Sequence, residues 1–174
     1  TPMGGGRGYG PTHSQSIEKL FNGINNIEIV ALNSFIPVSQ IYKTLNKSKH
    51  TTLVIENKLD YSRLEYQLPK TIKYEFYKSN SRFPISFFKP INHKPNMTII
   101  TYGGSSHVAL ESIDSIFLEY ELIPQIIIPT QIYPINIEGI LEKAKNTKYI
   151  VTIEESNIEG GFGSEIISGI AEKR

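Results

Sequence analysis

Two rhythms of apolar and polar positions run along this chain. Short unbroken apolar runs, bounded by Asn, Gly, Pro or Ser, predict strands buried on both faces. They fall at residues 27–32 (IEIVAL), 52–56, 97–102 (MTIITY), 125–129 (QIIIP) and 149–153. Between them, apolar residues at three- and four-residue spacing predict amphipathic helices. Ile17, Leu20, Phe21 and Ile24 mark the first, and Val38, Ile41, Tyr42 and Leu45 the second, which Pro37 opens. The third carries Val108, Leu110, Ile113, Ile116, Phe117 and Tyr120 after a Gly103-Gly104 turn, with Ser105 or Ser106 as its cap. Asn136 caps a fourth, with Ile137, Ile140, Leu141 and Ala144 inside, and Ser164 opens a last helix running to Lys173.

The order helix, strand, helix, strand over residues 1–59 implies a parallel sheet with crossover helices, and residues 97–174 repeat the pattern as a βαβαβα run. The stretch 60–96 differs. It is rich in Tyr, Phe, Lys and Pro, with poor helical periodicity and short strands expected at 66–68 and 74–77. Phe83, Phe87 and Phe88 are too apolar for a solvated linker, so this stretch reads as an interdomain connection packed on a surface. The expected organisation is therefore 1–59, 60–96 and 97–174, an α/β chain of two doubly wound units.

Composition narrows the function. With 39% hydrophobic and 20% charged residues in 174, the chain is globular and long enough for one large domain or two small ones. A net charge of +1 gives no electrostatic case for nucleic acid or a membrane surface, despite the mixed basic and aromatic residues of 60–96. Zero cysteines exclude disulfides and thiolate metal sites, which fits a cytoplasmic protein. No apolar run reaches the length of a membrane span and no basic-then-apolar signal opens the chain. The first residue is Thr1, and the chain reads as a segment of something longer.

The chemistry is concentrated near the start. Gly4-x-Gly6-x-Gly8-x-Gly10 lacks the spacing of a dinucleotide fingerprint, and no Lys-Ser/Thr follows as in a P-loop. His13 follows this run at the expected mouth of the first helix, where amide N–H groups favour negative charge. A lone histidine there is more often structural than catalytic on its own. His50 and His93 sit in polar loops, His107 near a helix start, and their spacings form no zinc pattern. Glu154-Glu155 reads as a strand end and loop, since neighbours on a strand point to opposite faces.

Three motifs carry a resemblance. Gly10-Pro11-Thr12-His13-Ser14-Gln15-Ser16, then Tyr102-Gly103-Gly104-Ser105-Ser106-His107, then Glu154-Glu155 with Gly160-Gly161-Phe162-Gly163-Ser164-Glu165, are similar to the beta subunit of the thiamine-diphosphate-dependent component of 2-oxoacid dehydrogenase complexes. Ile55-Glu56-Asn57-Lys58-Leu59 resembles the segment that closes that family's pyrimidine-binding domain. The resemblance covers nearly the whole chain. It implies an incomplete pyrimidine-binding-type doubly wound unit over 1–59, followed over 97–174 by a transketolase C-terminal-type parallel sheet with helices on both faces. It also implies a chain truncated at both ends.

By that resemblance the parent enzyme carries out oxidative decarboxylation of a 2-oxoacid and acyl transfer to a lipoyl partner. The cofactor supplies the hard step. Thiamine diphosphate and magnesium would be held mainly outside this chain, because no Gly-Asp-Gly segment occurs in it. The family's activating glutamate would lie before Thr1. His13 matches the family's substrate-facing histidine and is the one catalytic residue expected here; no cofactor-binding or metal-binding residue is. The family's structural potassium site would fall near Ser48 and His50, without the expected Asp and Asn, so none is expected. The implied partners are an alpha-type subunit carrying the diphosphate site, a second beta-type subunit completing a heterotetramer, and a lipoyl acyltransferase, in the cytoplasm or an organelle matrix. The chain alone is expected to be inactive. Two alternatives stay open: part of another transketolase-like thiamine enzyme, such as a transketolase or deoxyxylulose-phosphate synthase relative, or a non-catalytic assembly module.

Overall fold

In a computed structural model, described for residues 1–5, 10, 14–63 and 66–173, the apolar runs are the strands of two sheets. The elements in order are β1 (Pro2–Met3), β2 (Ile27–Ala31), α1 (Val38–Leu45), β3 (Thr51–Asn57), β4 (Tyr74–Lys78), β5 (Ile85–Pro90), β6 (Met97–Thr101), α2 (Ser105–Glu111), α3 (Ile113–Tyr120), β7 (Pro124–Pro129), β8 (Gln131–Tyr133), α4 (Ile137–Ala144), β9 (Tyr149–Ile153) and α5 (Phe162–Lys173). Single 3-10 turns lie at Glu18–Phe21 and Lys58–Ser62.

The first sheet has the order β1-β3-β2-β8, and the second β4-β5-β7-β6-β9. β1, β3 and β2 run parallel, as do β7, β6 and β9. This is the crossover arrangement expected from alternating strands and helices. Antiparallel strands extend both sheets: β8 pairs with β2, β5 with β7, and β4 with β5. The second sheet is thus mixed, a parallel centre with an antiparallel edge, rather than wholly parallel. The antiparallel edge comes from the stretch 60–96, which contributes β4 and β5 to that sheet.

Period-two alternation sorts the strand residues between three core clusters. Ile100 and Ile127 join Ile29, Ala31, Ile55, Phe87 and Phe162 in the cluster that links the two sheets. Their neighbours Ile99, Ile126 and Ile128 point the other way, onto Phe88, Ala109, Leu110 and Ile113. Val30, between Ile29 and Ala31, packs instead on Ile36, Ile41 and Phe83. An unbroken apolar run is therefore what each central strand needs, because both of its faces are covered.

Three expectations are corrected. The helix expected through Ile17, Leu20, Phe21 and Ile24 is only the 3-10 turn Glu18–Phe21, with Ser14–Ile17 non-helical. Leu20 is 69% and Ile24 43% exposed, while Glu18, on the supposed polar side, is buried. Gly23 at φ 82° and Asn26 at φ 63° turn the chain into β2 before a second helical turn can form. The strand expected at 66–68 is absent from the described residues of that segment. The long helix after Gly104 is divided into α2 and α3 at Ser112, whose hydroxyl donates to the Ala109 carbonyl at 2.9 Å and loosens the turn.

Candidate functional site

His13 lies outside the described residues. A cavity of about 590 Å³ lies outside the carboxyl ends of β2 and β3. That is where open α/β sheets present loops to ligands. Leu32, Asn33 and Ser34 leave β2, and Glu56 and Asn57 end β3. The Asn33 side chain accepts from the Phe35 N–H at 3.1 Å, and the Asn57 side chain from the Leu59 N–H at 3.0 Å. The second bond starts the 3-10 turn Lys58–Ser62, which carries Asp60 and Tyr61 to the cavity wall and leads to Arg63. Val38, Tyr66 and Leu68 supply apolar wall.

α2 closes the back of this site. Its start is pressed so close to β3 that a Cβ on Gly104 would overlap the Asn57 side chain. This brings His107, in the first turn of α2 and 1% exposed, against the site. The His107 Nε2 lies 3.0 Å from the Ser34 hydroxyl and 3.5 Å from Asp60 Oδ1. Both contacts use the same ring nitrogen. In a Ser–His–Asp relay the carboxylate must hold the opposite nitrogen, so this cluster is a polar clasp and not a nucleophile relay. Burial, and behind it the Arg63 guanidinium, lower the His107 pKa to about 4, so the ring is neutral at pH 7. Arg63 itself reaches Glu111 at 3.3 Å and Asp60 at 3.8 Å.

A second polar pair joins the segment after His13 to the second sheet. The Tyr102 hydroxyl, beyond the end of β6, donates to a carboxylate oxygen of Glu18. Glu18 is 3% exposed, and its other oxygen finds no hydrogen-bond partner among the described residues. Burial raises its pKa above the usual carboxylate range; the Tyr102 hydrogen bond pulls the other way, and the nearby charges of Glu154 and Glu155 add to the rise. Glu154 has a further task. Its carboxylate accepts from the Phe162 N–H at 3.0 Å and the Gly163 N–H at 2.7 Å, capping α5. A Cβ on Gly163 would lie 2.8 Å from that carboxylate and 2.5 Å from Thr152 Oγ1, which is why the GGFG turn carries glycine there.

Sequence reasoning placed His107 near a helix start and residues 160–163 just before the last helix, but missed the Ser34–His107 and Glu18–Tyr102 pairs and the role of Glu154. The pairs span 73 and 84 residues. The one available signal was Glu18, set close to the apolar Ile17, Leu20 and Phe21; the run before His107 is polar and gave none. The His93 Nδ1 bonds to the Ile91 carbonyl at 2.9 Å. Among the described residues no group of three or more His, Cys, Asp or Glu could hold a metal ion. No described helix is long and apolar enough to cross a membrane.

Residues 89–174 match the family model of the transketolase C-terminal domain. The 2-oxoisovalerate dehydrogenase subunit beta of Bacillus subtilis is 27% identical over 172 residues, covering 98% of this chain and 50% of that protein. The pyruvate dehydrogenase E1 component subunit beta of Gracilaria tenuistipitata var. liui is 26% identical over 170 residues, covering 97% of this chain and 49% of that protein. Among solved structures, a split-gene transketolase described as an inactive beta4 tetramer superposes with a TM-score of 0.70 at 18% identity, over 98% of this chain and 52% of that one. A transketolase from Pichia stipitis gives 0.62 at 14%, over 99% and 29%. At those identities the structures show the fold alone. The chain spans about half the length of the curated relatives it matches. The chain is therefore similar over residues 89–174 to the transketolase C-terminal domain, and along nearly its whole length to the beta subunits of pyruvate and 2-oxoisovalerate dehydrogenases.

Proposed function

We propose that this chain is a portion of a 2-oxoacid dehydrogenase beta-type subunit, serving the thiamine-diphosphate-dependent oxidative decarboxylation of a 2-oxoacid and acyl transfer to a lipoyl partner. The observation that carries this reading is the collinear similarity to dehydrogenase beta subunits over 97–98% of the chain. It favours a dehydrogenase over a transketolase, whose solved relatives share the fold at 14–18% identity.

Within the reading, residues 1–59 are the second half of a pyrimidine-binding-like domain, 60–96 a connection that also completes the second sheet, and 97–174 the body of the C-terminal domain. His13 is the substrate-facing residue; an imidazole with a near-neutral pKa suits proton handling beside a reacting acyl group. The described residues offer no metal-holding cluster, and Gly-Asp-Gly does not occur in the sequence. They do not fit a magnesium–diphosphate site, so we assign that site to an alpha-type partner. A second beta-type subunit and a lipoyl acyltransferase complete the proposed assembly, in the cytoplasm or, in a eukaryotic cell, an organelle matrix.

Co-expression with an alpha-type dehydrogenase subunit tests this. The expected result is a stable co-purifying complex that binds thiamine diphosphate, while the chain alone binds none. Failure to form any complex, or cofactor binding by the chain alone, contradicts it.

A further inference from the structure

A second concavity, independent of the proposed dehydrogenase role, lies at the carboxyl end of α1. It is an open groove of about 830 Å³ whose walls include Lys43, Lys47, Lys49, His50 and Arg82, and among the described residues no carboxylate lines it. The whole chain carries a net charge of only +1, so this is a local concentration of positive charge. Among the described residues, Lys43, Lys47 and Lys49 form no ion pair. Lys43, in the last turn of α1, and Lys47, just past its end, put like charges on one groove, where they repel. Compensation of the α1 dipole explains a cation in the last turn, such as Lys43, but that effect fades within one turn and leaves Lys47 and Lys49 without a reason.

Arg82 is held in place. Its guanidinium forks onto buried Glu28 at 2.6 and 3.0 Å, donates to the Ser48 hydroxyl at 2.7 Å, and lies 4.6 Å from the centre of the Phe83 ring. Glu28 is consumed by that fork and cannot neutralise the lysines as well. The groove thus combines one fixed guanidinium with three unpaired ammonium groups on flexible stems, and the Ser39 and Thr44 side chains share its walls. The ammonium groups are donors for phosphate oxygens, and Arg82, its fork already held by Glu28, fixes the wall they stand on.

The geometry points to a binding site for a small molecule carrying two or more phosphate groups. The cations are gathered on the walls of one compact groove rather than strung along a strip, which favours a polyphosphate over an acidic protein segment. Binding would relieve the repulsion among the lysines.

Calorimetric titration of the full chain with inorganic tripolyphosphate and with ATP tests the assignment. Saturable binding of tripolyphosphate, weakened by added salt, is expected. Combined Lys43→Ala, Lys47→Ala and Lys49→Ala replacement should weaken it by about tenfold, the sum of three exposed charge contacts. The corresponding Lys→Arg triple variant should retain binding, and Lys145→Ala, outside the groove, should leave it unchanged. ATP binding more tightly than tripolyphosphate supports a nucleotide ligand; equal binding supports recognition of the phosphate chain alone. No binding, binding indifferent to the Lys→Ala triple, or poly-glutamate binding as tightly as tripolyphosphate overturns the assignment.

Discussion

Ser34, just beyond β2, and His107, in the first turn of α2, share a hydrogen bond of 3.0 Å across 73 residues of sequence. The contact fastens a loop of the first sheet to the helix that covers the second. Because His107 is buried and neutral, it is also a point at which acid attacks the fold.

Protonation of His107 sets the first expected pH dependence. Its pKa is lowered from 6.5 to about 4 in the folded chain. The stability it contributes is complete above pH 6.5 and is lost as pH falls towards 4, since the unfolded chain takes up the proton first. The difference corresponds to roughly 3 kcal/mol at most. His107→Gln should flatten the fall in melting temperature between pH 6.5 and 4, as read by circular dichroism. An unchanged slope in the variant contradicts the assignment.

Glu18 behaves with the opposite sign. Its pKa is raised, chiefly by burial, so its contribution is complete below the unfolded value of 4.5 and is lost as pH climbs through the raised folded value. Glu18→Gln keeps the acceptor for Tyr102 and removes the charge. It should stabilise the chain at neutral pH by about 1 kcal/mol and leave stability at pH 4 nearly unchanged. Tyr102→Phe should cost about 1–3 kcal/mol, because it leaves a buried carboxyl with no hydrogen bond.

Close approach of α2 to β3 depends on Gly104. A Cβ there overlaps the Asn57 side chain and comes within 2.8 Å of the Asn57 Cβ, so Gly104→Ala forces the two elements apart or expels the asparagine. The expected cost is about 1–3 kcal/mol by chemical denaturation. The cap on α5 gives a companion test: Glu154→Ala, which frees the Phe162 and Gly163 N–H groups, should cost about 1–2 kcal/mol.

These pairs also mark where reading the sequence stopped. The central strands were legible because residues such as 29–31, 99–100 and 126–128 must be apolar in unbroken series to meet cover on both faces. β8 was invisible: three residues after Pro129 and Thr130 and before Pro134, paired through Gln131 to Val30 about a hundred residues away. Ile17, Leu20, Phe21 and Ile24 satisfied helical spacing, yet Gly23 and Asn26 at positive φ bent the chain away first. No periodicity announces that Glu18 meets Tyr102, or Ser34 meets His107, since only the tertiary packing brings them together. The GGFG turn was legible through resemblance, not through spacing.

Whether His13 does chemistry in an assembled enzyme is decided by turnover. Carbon dioxide release from a panel of 2-oxoacids, with thiamine diphosphate and magnesium present, should be absent for this chain alone. It should appear when an alpha-type subunit is added, and fall by at least about a hundredfold in His13→Ala, the usual scale for loss of an acid–base group. Turnover by the chain alone, no turnover in the complex, or a complex indifferent to His13→Ala would contradict it.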